Sequence, residues 1–470
     1  MKKFWKYFTL TILLLLGLCC VGILYLFFVP NSSLFGICYI SNNEHYTSQD
    51  YSKTNVETII LNSNNYDVKI VDTDSDNISI KVYSNTFGFV LTKNKAVSII
   101  PKLNNGSLTF NITEPTGFAF NSSSYIELSI PDSKTFNLNL KNNKSETKLN
   151  SSKIKLNNLT YETNNGDFVI ENVTISGDIK LNLNKATLEY SSSVNNNSND
   201  VYLNLTTGKF DASSSTFNDV IIESNTRGVV LIKECANITQ DTTSAGGRIE
   251  VDTAKFVNIK SSSTNVYINN ITDGAIIDLT NGNISIKDLT DNSSLTTDSG
   301  NINIDKLNSY SNIKTNTGNV TISNAKEHIE LQTNYGTINI HYSDDAINRF
   351  VSAILDDGKI IVSGLEKINL NINGNGRAEL DMKDVKGLSS IVANSGSVYV
   401  KVNKNAKYKL ATKSDGSVRV NLAQISQYGG YTTKDLTTTY VNCTSSTFGS
   451  NVLEISTTTG NLTVLDTNFT

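Results

Sequence analysis

The sequence predicts an all-β chain: a single-stranded β-solenoid of about 18–20-residue coils with an N-terminal β cap, preceded by one transmembrane helix. Three observations carry that expectation. Residues 7–29 form an uncharged apolar run, glycines recur downstream at a spacing of 18, and Ile, Val and Leu alternate there with Asn, Ser and Thr. Period-2 alternation is the mark of half-buried strands, and a fixed short period is the mark of stacked repeats.

Composition narrows the function classes first. Apolar residues make up 38% of the 470 and charged residues 18%, with a net charge of −4. Both shares fall below those of an average globular chain (~45–50% and ~25%), and Asn, Ser and Thr fill the gap. The five arginines (Arg227, Arg248, Arg349, Arg377 and Arg419) are scattered. A near-neutral balance without a basic stripe gives no electrostatic basis for nucleic acid as a partner. Cys38, Cys235 and Cys443 lie too far apart for a CxxC site or a dense disulfide framework. Cys235, near Ile232 and Ile238, reads as a small buried hydrophobe.

At the N-terminus, Lys2, Lys3 and Lys6 precede the uncharged run of 7–29. At ~1.5 Å per helical residue the run covers the ~30 Å core of a bilayer. It is longer than the ~7–15-residue apolar region of a signal peptide, and no A-x-A cleavage pattern follows. Residues 1–30 therefore read as a cytoplasmic stub and signal anchor. Basic flanks stay inside, so residues 31–470 are expected outside the cytoplasm of a single-pass cell-membrane protein, with the lipid bilayer held through 7–29. Residues 31–54 read as a polar tether.

Residues 55–140 have longer strands and more aromatics, and read as the cap covering the first edge of the solenoid. Val68–Val71 and Ile78–Val82 are expected to pair around the turn 72–77. From 141 to 470 the repeats take over. Segments 295–304 (LTTDSGNINI), 313–322 (IKTNTGNVTI) and 331–340 (LQTNYGTINI) share the pattern apolar-x-Thr-x-x-Gly-x-apolar-x-Ile. Its turn glycines are Gly282, Gly300, Gly318 and Gly336, then Gly358, Gly376 and Gly396 at looser spacing, with Gly416 and Gly460 in the last copies. Glycine is expected there because it tolerates positive φ at a sharp corner. Each copy has two short strands and cannot bury its apolar row alone, whereas stacked copies align these rows into inner ladders. About seventeen coils between 140 and 470, at ~4.8 Å per rung, would measure roughly 80 Å.

These segments resemble a bacterial family of adhesin candidates, a domain of unknown function built of β-strand repeats. The resemblance rests on Tyr66–Ile70 with Ile78–Val82, on Tyr125–Pro131, and on the Thr-x-x-Gly-x-Ile-x-Ile copies, across roughly 55–470. It implies a solenoid architecture and a surface role, and carries over no catalytic or binding residue.

No catalytic, cofactor-binding or metal-binding constellation is expected. The three histidines, His45, His328 and His341, lack neighbouring ligand spacing. Asp72, Asp74 and Asp76 open like a calcium loop, but Asn77 and Tyr83 stand where Gly and Glu are required. Asp356, Asp357, Glu379, Asp381 and Asp384 form the densest acidic stretch and read as solvated corners. The chain is thus expected to be a non-enzymatic surface protein: an adhesin, or a binding or spacer module meeting an extracellular glycan or protein. An envelope-stress sensor or scaffold acting through another membrane protein is the alternative, and a β-helix polysaccharide-active enzyme the third. Because the pattern runs to Val464, a bare final strand is also expected, with self-association through that C-terminal edge.

Overall fold

Strand after strand shows the burial alternation that the sequence pattern implies, with every second side chain turned into a common apolar interior. The computed structural model describes residues 2–29, 33–34, 37–91, 97–114, 117–121, 124–191, 199–422, 428–443 and 446–466. The fold is all-β apart from one N-terminal apolar helix, and winds as a β-solenoid of about 13 turns. These turns are divided between two compact units, residues 1–199 and 200–470.

The first unit begins with the helix Lys2–Phe28. Its early strands are β1 (Ile37–Ser52), β2 (Thr58–Ser63), β3 (Asp67–Thr73), β4 (Asn77–Leu91), β5 (Ser98–Asn104), β6 (Ser107–Thr113), β7 (Gly117–Asn121), β8 (Tyr125–Pro131), β9 (Phe136–Asn142) and β10 (Thr147–Asn150). On one face β2 lies between β6 and β9, all parallel; on the other β3 lies between β8 and β10, also parallel. Antiparallel strands finish the outer side: β5 on β6, β4 on β8, and both β1 and β7 on β4. The segment read as a tether thus contains a strand that pairs with β4 from Ile37 to Ser52, with a register shift between Ile40 and Asn43. Residues 31–32 and 35–36 of that segment lie outside the described residues.

One expectation is corrected here. β3 and β4 do not pair around the acidic turn, because β8 stands between them, parallel to β3 and antiparallel to β4. Ile126 and Leu128 of β8 are wholly buried, as are Ile78, Ile80 and Val82 of β4. A direct hairpin would leave that apolar row of β8 without a neighbour on one side.

In the second unit the 18-residue spacing becomes hydrogen-bonded register: Ile284, Ile302, Val320 and Ile338 sit opposite one another in successive parallel strands. Leu295, Ile313 and Leu331 do the same on the neighbouring face. The spacing widens to 22 between Gly336 and Gly358, where the chain bulges through 343–348. Arg349, only 4% exposed, holds this bulge. Its guanidinium donates to the carbonyls of Ser343 (2.7 Å), Asp344 (2.8 Å) and Gly364 (3.0 Å).

The end of the chain is not the end of the stack. Val452–Thr457 lies between Leu388–Ala393 and the first half of Tyr408–Asn421, parallel to both. Leu462–Asp466 likewise lies between Ser397–Val402 and the second half of Tyr408–Asn421. Outside them Tyr428–Val441 pairs antiparallel with Tyr408–Asn421. The expected bare strand at 464 is therefore corrected: residues 403–451 form an inserted hairpin that covers the last coil. Residues 467–470 lie outside the described residues. The count of about 13 turns, against the seventeen expected, follows in part from this insertion, which takes a stretch that the repeat spacing divides into coils.

Candidate binding surface

The repeat corners set what the surface can present. In the regular copies the threonine of Thr-x-x-Gly is buried, and its Oγ1 accepts the amide of the glycine three residues on. These bonds are Gly300 to Thr297 at 3.1 Å, Gly318 to Thr315 at 3.0 Å and Gly336 to Thr333 at 3.1 Å. The Thr297 hydroxyl also donates to the carbonyl of Gly282, one coil away, at 2.9 Å. A buried hydroxyl with donor and acceptor both satisfied carries no desolvation penalty into the core.

The glycines stack in a column, and the reason they are glycines differs from the expected one. Gly282, Gly300, Gly318, Gly336, Gly358, Gly376, Gly396, Gly416 and Gly460 all have φ outside the left-handed region. A Cβ on Gly318 would instead collide with the Gly300 carbonyl, and one on Gly300 with that of Gly282. The column also reports the non-sequential end of the stack. A Cβ on Gly460 would strike the Gly396 carbonyl, and one on Gly416 would strike the Gly460 carbonyl.

From Asn265 to Thr337, the residues after Gly282, Gly300, Gly318 and Gly336 extend a polar rail. Asn265 accepts the amide of Asn283 (3.1 Å), Asn283 that of Asn301 (2.9 Å), Asn301 that of Asn319 (3.0 Å) and Asn319 that of Thr337 (2.9 Å). Asparagine thus has a structural duty at the corner, which leaves function to be sought elsewhere.

Two shallow grooves stand out, one in each unit. That of residues 1–199, about 270 Å³, is lined by Thr58, Asn137, Asn139, Asn158, Thr160, Asp178 and Lys180. Its amides already bond one another, as Asn158 does to Asn137 at 3.0 Å. The groove of residues 200–470, about 230 Å³, is more varied. Ser213, Glu250, Asp252 and Asn269 line it beside Leu231 and Tyr267. Asn269 donates to Asp252 at 2.5 Å, and the Arg248 guanidinium, ion-paired with Glu250, lies 4.7 Å from the Tyr267 ring centre. An exposed aromatic beside carboxylate and amide groups offers both an apolar face and directional partners to a hydroxyl-rich ligand. Sequence reasoning missed this groove, because its residues come from four successive coils in the stretch 205–270, where the repeat spacing is irregular.

The titratable residues singled out in the sequence lie apart from both grooves. His341 Nδ1 is 2.7 Å from the Ser363 hydroxyl, while His328 stacks on Phe350 with ring centres 4.1 Å apart. Burial holds the His328 pKa below its usual range; Lys367 pulls the same way, and Glu330 and Glu327 oppose. His45 lies on β1. In the acidic turn, Asp72 accepts from Ser151 at 2.6 Å, Asp74 pairs with Lys153 at 3.2 Å and Asp76 with Lys53 at 2.5 Å. The Ser151 bond is the main cause of the lowered Asp72 pKa. Glu379 pairs with Lys359 (3.0 Å) and Arg377 (2.8 Å), and Asp357 accepts the Asn375 amide at 2.7 Å. Cys235 is 1% exposed, and burial pushes its thiol up to about 12. Among the described residues, no group of three His, Cys, Asp or Glu side chains is placed to hold a metal ion.

Comparison with known proteins adds the following. No curated protein matches the chain. Among solved structures, one titled a "putative cell adhesion protein" from Clostridium sporogenes is 13% identical and covers 48% of this chain and 100% of its own, with a TM-score of 0.26. A "putative adhesin" from Parabacteroides merdae is 13% identical over 72% of this chain and 98% of its own, with a TM-score of 0.20. Another, from Bacteroides fragilis, is 11% identical over 72% and 99%, with a TM-score of 0.17. The helix Lys2–Phe28 contains a segment, Tyr7–Leu26, long and apolar enough to span a membrane, a property that signal sequences share. The model of the Toastrack family, DUF4097, matches residues 56–373, well over half of the chain, and the protein belongs to that family.

Proposed function

We propose that this protein is a membrane-anchored, outward-facing binding module that engages saccharide on the surface of its solenoid. The anchor reading is supported by the helix around Tyr7–Leu26, flanked by Lys2, Lys3 and Lys6 on the side expected in the cytoplasm. The observation that carries the binding reading is the groove at Tyr267, where Asp252, Asn269, Glu250 and Ser213 lie around an exposed ring. Sugar rings stack on aromatic faces, and their hydroxyls pair with carboxylates and amides. A single groove of this size binds weakly, so repetition on a crowded surface would supply the avidity of an adhesin.

The test is binding of the chain, held in lipid nanodiscs, to an array of cell-wall and host glycans. At least one glycan class should bind, and Asp252→Ala should weaken it by roughly tenfold, the loss of one charge-assisted hydrogen bond of about 1.5 kcal/mol. Binding that is absent across the array, or unaffected by Asp252→Ala and Tyr267→Ala alike, would reject the reading.

A further inference from the structure

The ribbon formed by β1, β4 and β7 changes character along its length. Away from the helix, β1 carries Asn43, Glu44, His45, Gln49 and Asp50. At the end nearest the helix the cross-strand pairs are instead Ile37 with Leu91 and Tyr39 with Phe89 from β1 and β4. On the other side of β4, Phe89 pairs with Phe118 and Phe87 with Phe120 of β7. Residues of a strand alternate between faces, so Tyr39, Phe87, Phe89, Phe118 and Phe120 all occupy positions of one parity. The Tyr39 and Phe89 rings lie 5.2 Å apart, and Ile37 is 38% exposed. The opposite parity holds Cys38, Ile40, Gly88, Val90 and Ala119, and Cys38 is only 2% exposed.

The position of this end relative to the helix is set by Leu34. A Cβ on Gly22 would lie 2.9 Å from Leu34 Cδ2, so Leu34 packs against the helix there. Leu34 and Ile37 exchange backbone hydrogen bonds of 2.9 Å in each direction. Gly22 is inside the span Tyr7–Leu26, and Leu26 itself is 7% exposed although most of the helix is open. The aromatic end of the ribbon therefore starts beside the last turns of the helix, at a level the apolar span still covers.

We infer that this ribbon end is a second membrane-contacting element, seating its aromatic parity at the headgroup–acyl boundary of the outward leaflet. The inference rests on the anchor reading above. Rings at that boundary are favoured because one part of the surface meets apolar chains while the edge meets water. The occupant is phospholipid because the apolar positions are continuous with the helix and stop where the ribbon turns polar. The consequence is mechanical. A helix alone lets the outer part swivel, whereas a helix and a three-stranded ribbon fix its angle to the membrane.

Trp5 is the only tryptophan, which makes the test direct. The full chain is placed in phosphatidylcholine vesicles with and without bromine on the acyl chains. Variants Phe89→Trp and Phe118→Trp, each with Trp5→Phe, are compared with Tyr335→Trp in the same background, Tyr335 being 63% exposed in the second unit. Both ribbon tryptophans should lose a clear share of their emission to brominated lipid, as rings at the membrane interface would, and the Tyr335→Trp variant almost none. Trp5 of the unsubstituted chain reports the anchor separately. If Trp5 is quenched and the ribbon positions are not, the anchor stands and the ribbon inference fails. Blue-shifted but unquenched ribbon emission would place that face against protein, and also overturns it. If Trp5 is not quenched, the anchor reading falls and the inference with it. Should the tryptophans disturb folding, a carbene-releasing lipid is used with the unsubstituted chain: labelling should fall on 87–91 and 117–121, and labelling confined to the helix would contradict the inference.

Discussion

At the scale of single residues, the recurring glycine is explained by what lies over it rather than by the turn it occupies. Gly318 sits beneath the carbonyl of Gly300, and even one methyl group would collide with that backbone. Gly318→Ala should therefore destabilise the protein by about 1–3 kcal/mol, the usual cost of overpacking a well-filled interior, read as a lower urea midpoint. Gly17→Ala, where open space surrounds the position, should shift nothing comparable. Spacing alone could locate the glycines but not this cause. Positive φ and close approach select the same residue, and only the φ values tell them apart. Thr297 was legible as an inward position, whereas its second hydrogen bond was not, since that acceptor, the Gly282 carbonyl, belongs to the previous coil.

At the scale of elements, corners from successive coils stack side chains as well as backbone. Tyr310, His328, Phe350 and Lys367 follow one another up one edge, with ring-centre separations of 5.4 Å and 4.1 Å and the Lys367 ammonium 4.7 Å from the Phe350 ring. His328 Nε2 has no hydrogen-bond partner among the described residues. Its lowered pKa means that the unfolded chain binds the proton more readily than the folded one. Stability from this site is thus complete above about pH 6.5 and is lost as pH falls through the folded value. The melting temperature should decline from pH 7 to pH 5 in the unsubstituted protein, and His328→Phe should remove the part of that decline which His328 supplies. An unchanged pH profile in His328→Phe would contradict the stacking account. Strands were legible wherever Ile, Val or Leu alternated with polar residues, as in 295–340. Their partners were less so: β3 and β4 are close in sequence, yet β8 from fifty residues later separates them, because local spacing carries no information about which apolar row needs covering.

At the scale of the whole chain, the repeats specify the stack and the insertions specify how it ends. Both units place antiparallel strands beside parallel coils, β4 and β5 in the first and Tyr428–Val441 in the second. Such strands break the parallel template that an open edge would offer to another chain. The pattern at 452–464 identified a genuine coil, but its place followed from geometry, since 403–451 folds outward and leaves room for it beside 388–402. The same property that makes the fold readable makes the binding groove hard to see. Regular copies devote their asparagines and threonines to holding coils together, and the candidate site lies where regularity lapses.

The claim on which all of this depends is parallel stacking in register, with the last segment of the chain placed one rung inside its predecessor. Lys314 is aligned through successive strands with Gln332, Ile354, Asn371, Val392, Ser456 and then Lys413. Spin labels at Lys314 and Ser456 are five rungs apart and should lie about 24 Å from each other, whereas labels at Lys314 and Lys413 should lie about 29 Å apart, at ~4.8 Å per rung. Pulsed electron–electron resonance on the two pairs decides the matter. A longer distance to Ser456 than to Lys413, or distances unrelated to the rung count, would contradict the account.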